Sequence, residues 1–447
     1  MKLKILLILS LLLSYEILTS QDTLFLSIEE AMNISIERNP DLRRVQLGAA
    51  LLEKQIQGAK SAGLPQVAGS AGFTDNFSIA SQLLPGEIFG QEGQIPVQFG
   101  NRFGLTAGVE ASQVLYSRGY QANLRKLDAA RVTVNLQTMA TIEDLVYNVG
   151  QLYIQYQTAY EQKDIQETNL ERLRTLITIA TAQYDNGIIK KLDVDQIKVN
   201  RTNLSSNLAS LQLNLDQIMT TLKFYLAVDQ TTEIRLTESL NNQQKFPLAT
   251  ELLLEENINY KLLRQQILLT QLDDDVIKAN NYPTVSAFAQ YNYTGQANKF
   301  NFDNDNYTGF FSGIWGLNVA VPIFDGFKTK RGLEENTIVA AQLQIEQEQL
   351  ENAMEMNFIN AQNAIRQNEI LIEMQLENME LAKEVYNITQ LSYQEGVAPL
   401  VDLLNAETGL RESQAQYITA TINYKLAELD HTKTSGQLAQ LIRLNQN

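Results

Sequence analysis

The chain has 447 residues, a formal net charge of −16 and no cysteine. An acidic balance of this size excludes proteins that track nucleic-acid phosphates. The lack of cysteine excludes disulfide staples, thiolate metal sites and a lipid-bearing N-terminal cysteine. Single cores stop growing at about 250–300 residues and no stretch reads as an interdomain linker, so an elongated or internally repeated architecture is expected.

Residues 1–20 carry Lys2 and Lys4, then an apolar run from Ile5 to Leu13, then small polar residues before Gln21. This is the layout of a secretory signal peptide, whose apolar core is shorter than the ~20 residues a membrane helix needs. From Ser27 to Ser61 the pattern is helical, opened by Ser27 with Glu30 three residues on, a capping-box arrangement. Pro65 ends it. Lys60 and Pro65 recur at Lys278 and Pro283, and Asp41 at Asn259, so the segment 252–281 reads as a second copy of this helix. A repeat this long indicates duplication rather than a solenoid of short units.

After each proline the hydrophobic period falls from about 3.6 to 2, the mark of a strand. Val285, Ala287, Ala289, Tyr291 and Tyr293 share one face, and Ser286, Gln290 and Asn292 the other. Trp315, Leu317, Val319, Val321 and Ile323 do the same in the returning strand, and Phe103, Leu105, Ala107, Val109 and Ala111 in the first copy. Two architectures use such strands: half-buried soluble sheets, and membrane barrels with strands of ~9–11 residues. If the barrel reading holds, four strands are too few, since the smallest membrane barrels need ~8 and an open edge in lipid is forbidden. An oligomer would then complete it. The intervening segment 78–100 is apolar but broken by Pro85, Gly86, Gly90, Gly93 and Pro96, and is expected to be a surface loop. The shorter loop 296–308 carries Asp303 and Asp305, too few oxygen ligands to argue for calcium.

The strands give way to proline-free runs, Tyr120 to about Tyr184 and Phe327 to Gln394. At 1.5 Å per residue a continuous helix of the first length is close to about 100 Å long. Ile142, Leu145, Val149, Leu152, Tyr156 and Ala159 step by three and four, as do Leu204, Leu208, Leu211, Leu215, Ile218 and Leu222. These are coiled-coil seams. In the last helix Leu403, Leu410, Tyr417 and Tyr424 alternate with the smaller Ala406, Ser413, Ala420 and Ala427. Elsewhere the helices carry uncharged polar residues such as Gln344, Gln347, Asn352 and Asn360, a bias that suits a wall facing a water-filled lumen better than a coiled coil with charged flanks. Residues 229–249 are polar and read as an irregular connection; with the tail after His431 they are expected to form a belt around the helices.

Between the two long helices of each copy lies a short turn. Tyr184, Gly187 and Asp193 in the first recur, in the same order and spacing, as Tyr393, Gly396 and Asp402 in the second. Each reads as the tip of a helical hairpin, with Gly187 and Gly396 permitting positive φ. Asp193 and Asp402 admit two roles: a helix N-cap, favoured for Asp193 with Gln196 at the reciprocal capping-box position, or a ring of charge that favours cations at a constriction. For Asp402 the two stand level. His431 has no catalytic partner in the sequence and is expected at the surface. No nucleophile motif, phosphate loop or metal-spaced cluster appears, so neither an enzyme nor a cofactor is expected.

The duplicated helix, the proline-terminated strand pair, the long helix and the Tyr-x-x-Gly-x-x-x-x-x-Asp turn resemble the TolC-like outer-membrane factor family over essentially the whole mature chain. The segment YQEGVAPLVDLLNAETGLRESQAQYITATINYKLA carries most of the likeness. The resemblance implies a mixed α and transmembrane β fold: a homotrimer with a twelve-stranded β-barrel, four strands per chain, in outer-membrane lipid, continued by a long periplasmic α-helical barrel. It implies repeats at 21–226 and 251–432, joined by 227–250 and followed by a tail at 433–447. It also implies an exit duct of a tripartite efflux pump or type I secretion system, working with a periplasmic adaptor and an inner-membrane transporter of the RND or ABC class. In the family, acidic residues at the tips ring the closed end. The first matches Asp402; the second falls on Asn405, and a basic residue that helps hold the closed state falls on Ala398, so this chain departs twice. A tyrosine corresponding to Tyr393 bonds a neighbouring chain, and Gly187, Ile188, Gly396 and Val397 fall where the adaptor docks. The alternative from another class is a structural or adhesive periplasmic coiled-coil protein.

Overall fold

The computed structural model describes residues 23–239, 246, 248–300 and 307–438; the expected signal peptide and the Asp303–Asp305 pair lie outside them. In chain order the elements are β1 (Leu24–Leu26), α1 (Ile28–Arg38), α2 (Pro40–Ser61), β2 (Gln66–Asp75), β3 (Ser81–Pro85), β4 (Gln94–Gln98), β5 (Phe103–Ser117), α3 (Arg118–Asp185), α4 (Lys191–Leu226), β6 (Ile234–Leu236), α5 (Ile258–Lys278), β7 (Thr284–Ala297), β8 (Tyr307–Ala320), α6 (Lys328–Gln394) and α7 (Leu400–Thr434).

The Ser27 capping box is present: the Ser27 N–H donates to Glu30 Oε2 at 2.8 Å and the Glu30 N–H to Ser27 Oγ at 3.2 Å. The helix it opens is not continuous to Ser61, however. Asn39 turns to extended backbone and closes α1, because Pro40 has no N–H to donate and is suited to the first turn of a new helix. In the second copy, helix begins at Ile258 rather than Leu252.

One compact unit comprises residues 48–134 and 264–345. It holds an antiparallel sheet of order β2-β5-β7-β8, in which β5 pairs with β7 to join the two sequence copies. Register puts Ala107 opposite Tyr293, Val109 opposite Tyr291, and Ala289 opposite Trp315, so the apolar positions named above share one face. Much of that face is exposed, with Trp315 at 81 %, while Phe103 at one end of it is buried. β8 ends at Ala320, two residues before Pro322, so Val321 and Ile323 fall outside the strand assigned to them from the alternation. The 78–100 segment is a hairpin of β3 and β4 rather than a plain loop. Helical arms of this unit are tied by Lys126–Asp273 (2.5 Å) and Arg125–Asp275 (3.2 Å) ion pairs, solvent-exposed contacts worth little individually.

The other unit comprises residues up to 47, 135–263 and 346 onward. The α3 and α4 seams are buried where the heptad steps place them, with Leu145, Val149, Leu215 and Leu222 inside. Leu222, Leu226 and Leu429 join Leu26, Ile234, Phe246 and Leu438 in one core. The 229–249 connection is thus not wholly irregular, for β6 pairs in parallel with β1. His431 is not at the surface. It is 1 % exposed, its ring 5.1 Å from Phe358, because the end of α7 packs against α6; burial lowers its pKa.

Candidate functional site at the paired hairpin tips

The two tips pack together. Val194, Ile197 and Leu204 of the first hairpin share a core with Tyr393, Leu400, Leu403 and Leu410 of the second. Each long helix ends on a glycine in the left-handed region, Gly187 at φ 75° and Gly396 at φ 77°. The Gly187 N–H donates to the Tyr184 carbonyl and the Ile188 N–H to that of Gln183, both at 2.8 Å. Gly396 and Val397 repeat the pattern on Tyr393 and Ser392 at 3.0 and 2.8 Å. Such closure satisfies the last carbonyls of a helix and requires positive φ. No atom lies within 4 Å of where a side chain on either glycine would begin, and Ile188 and Val397 are exposed. Two bare apolar knuckles are thereby presented side by side.

Both aspartates sit at the third helical position, not at the N-cap, which corrects the capping-box assignment to Asp193 and Gln196. The N-caps are Lys190 and Pro399. Asp193 reaches back and accepts the Lys190 N–H at 2.9 Å. Asp402 occupies the same place in the second tip but faces Pro399, which has no N–H to give. Its carboxylate is exposed and takes part in no hydrogen bond or ion pair among the described residues. The sequence contains the reason for this difference, but it becomes visible only when the helix start is fixed. Asn405 is exposed one turn further along α7.

Tyr393 is 5 % exposed, and its hydroxyl donates to Gln183 Oε1 at 2.8 Å. The bond it makes in this structure therefore ties the second tip to the first within one chain. Burial, and then the nearby Asp193 carboxylate, hold its phenol above the usual range, so it remains a donor. Next to it lies a cavity of about 150 Å³ bordered by Arg172, Tyr386 and Leu403. One turn beyond is a polar layer absent from the sequence reading. Glu407, 3 % exposed, pairs with Arg411 at 2.9 Å, and burial raises its pKa against the pull of Arg411. Arg172 stacks over Tyr386 at 5.5 Å and donates to Asn169 at 3.1 Å, while Asn169 donates to Gln414. Among the described residues no group of His, Cys, Asp and Glu is placed to hold a metal, and no helix is long and apolar enough to cross a membrane.

A family model described as outer membrane efflux protein matches residues 31–228 and 252–437. The chain belongs to the outer membrane efflux protein family. Membership places it in the outer membrane, extending into the periplasm. Outer membrane protein TolC of Salmonella enteritidis is 21 % identical over 436 residues, covering 91 % of this chain and 82 % of that one. Nodulation protein T of Rhizobium leguminosarum bv. viciae is 22 % identical over 316 residues; the match spans 68 % of this chain and 62 % of that relative, under two thirds of its length. Among solved structures, CusC superposes with a TM-score of 0.73 at 16 % identity, covering 94 % of this chain and 95 % of that one. VceC of Vibrio cholerae gives 0.73 at 14 %, covering 92 % and 96 %. At such identities these neighbours attest the fold.

Proposed function

We propose that this protein is the outer-membrane exit duct of a tripartite efflux pump or type I secretion system. Three copies would each give β2, β5, β7 and β8 to a twelve-stranded barrel, and their long helices would line a periplasmic tunnel. The observation that carries this reading is the open sheet. Its outer strands β2 and β8 each lack a partner on one side among the described residues, and its apolar face is exposed. A sheet with bare edges cannot stay in lipid, and four strands cannot close, so neighbouring copies must supply the partners. The helices support this independently: Met374, Leu381 and Ile388 recur every seven residues on α6 and are exposed, a seam without its other half. Two matches of the family model along the chain support the duplicated plan with repeats at 21–226 and 251–432.

In this reading the tips form the closed periplasmic end. Asp402 from three chains makes a cation-favouring ring, Asn405 adds a neutral polar layer, Tyr393 ties the second hairpin to the first through Gln183, and Asp193 closes its own helix start at the gate. Gly187, Ile188, Gly396 and Val397 offer the knuckles on which a periplasmic adaptor docks, itself bound to an RND or ABC transporter. The duct conducts passively and no catalytic step is assigned. A purely structural coiled-coil protein would have no use for an exposed apolar sheet with open edges. The test is purification from outer membranes, with chemical crosslinking and planar-bilayer recording. A trimer with discrete conductance steps is expected; a monomer that leaves the bilayer silent overturns the assignment.

A further inference from the structure

The polar layer one turn beyond the tips holds a charge that is buried but poorly satisfied. Glu407 on α7 is 3 % exposed, yet neither of its carboxylate oxygens receives a hydrogen bond among the described residues. Arg411 lies 2.9 Å away but is misaligned, with its Nε likewise unbonded, and its Nη2 donates instead to Thr408 at 3.3 Å. The other contacts of the layer cross from one hairpin to the other. Arg172 of α3 stacks over Tyr386 of α6 at 5.5 Å, and Asn169 of α3, 2 % exposed, donates to Gln414 of α7 at 3.1 Å. α4 enters the shared core with Ile197 and Leu204, which carry no charge.

A carboxylate taken out of water without hydrogen bonds is heavily penalised, and a misaligned guanidinium returns only part of that cost. The penalty lasts only while the hairpins are packed, because Glu407 meets water once they part. A protonated Glu407 carries no such penalty. The charges that act on it are Arg411 on its own helix and Arg172 on α3, and the Tyr386 phenol of α6 faces it as well. Burial outweighs both cations and holds the carboxyl above its ordinary 4.5. On the reading of the tips as a duct's closed end, we propose that Glu407 is a positioning residue of the gate. Neutral, it lets the two hairpins close on each other; ionised, it favours their separated, hydrated arrangement. The packed state is therefore at full strength at low pH and loses stability as pH rises through the raised pKa.

The chain has no cysteine, so Ala180→Cys, at a fully buried site in the core between the hairpins, gives one thiol that a water-soluble methanethiosulfonate reaches only when they part. Full-length protein in detergent is labelled with and without Glu407→Gln, and the ratio of the two rates cancels the thiol's own titration. The rates should agree at pH 5. At pH 8 the protein that keeps Glu407 should label faster by about threefold or more. Arg172→Gln removes an attraction that only the ionised carboxylate feels, so it should speed labelling more at pH 8 than at pH 5, and adding Glu407→Gln should cancel that difference. Faster labelling of the Glu407→Gln protein at pH 8 would make the ion pair a net tie and overturn the proposal, as would equal rates at both pH values. Labelling needs no conduction, so a protein that labels as expected but leaves a bilayer silent counts against the duct alone.

Discussion

The sharpest perturbation of the tips is Tyr393→Phe, which deletes one oxygen and leaves the ring in its apolar seat. The lost bond is the 2.8 Å contact to Gln183, and a hydrogen bond of this kind contributes about 1 kcal/mol net. Gln183 Oε1 is then left to find water, which the adjoining cavity of about 150 Å³ admits. One such bond per chain shifts a closed-to-open equilibrium about fivefold, and three chains opening together shift it about 100-fold, since each 1.4 kcal/mol is a factor of ten. Single-channel recording reads the change as a rise in open probability at unaltered open conductance. Gln183→Ala should produce the same rise, and combining the two should add little, because both remove one interaction. A Tyr393→Phe channel with wild-type open probability, or fully additive single variants, would refute the assignment of this bond to the closed state.

The remaining expectations concern charge, backbone and pH. Asp402→Asn should weaken block by multivalent cations on the periplasmic side by tenfold or more in planar bilayers, with little change in stability, because the carboxylate has no bond to lose. Gly396→Val should strain the tip by about 1–2 kcal/mol through its positive φ and uncouple export from the pump, seen as restored drug sensitivity in cells that still make the trimer. Burial, then repulsion from Asp144, pushes Glu143 up to about 7. A carboxyl raised in the folded state imposes no penalty below its unfolded pKa near 4.5, then loses stability as pH rises toward 7 and stays at the lower level above it. After discounting for solvent screening this amounts to about 1–2 kcal/mol. Denaturant midpoints should therefore fall between pH 4.5 and 7, and Glu143→Gln should flatten that slope.

What the sequence revealed follows from periodicity. The seams of α3, α4 and α7 lie buried at the heptad positions, and the strand faces pair as the alternation required, because burial of one stripe or one face repeats often enough to be read. Single-residue events were not legible. Pro40 breaks the first helix in a stretch whose apolar pattern continues across it. Three-residue β6 is too short to show a period of two, and its pairing with β1 spans most of a repeat in sequence. His431 is flanked by Asp430 and Lys433, so it looks solvated, although the last turns of α7 bury it. The layer of Glu407, Arg411 and Arg172 is invisible for a like reason: Glu407 and Arg411 at i and i+4 read as an ordinary surface pair, and only the packing of two hairpins takes them out of water.

The two tips share one backbone course and differ in what their carboxylates do. Both keep the tyrosine, the positive-φ glycine and the aspartate in the first helical turn, so the backbone course is the same. The residue three before the aspartate decides what the carboxylate does. Lys190 supplies an N–H, and Asp193 is consumed in closing its own helix start. Pro399 fixes a compatible φ but withholds the donor, so Asp402 is released to face solvent. Pro399→Ala restores the N–H, and Asp402 should then fold back as Asp193 does. Multivalent-cation block should weaken toward that of Asp402→Asn, while amide exchange at residue 399 slows to match that at Lys190. Unchanged block with a newly protected amide would mean that the carboxylate's orientation does not set the charge at the constriction.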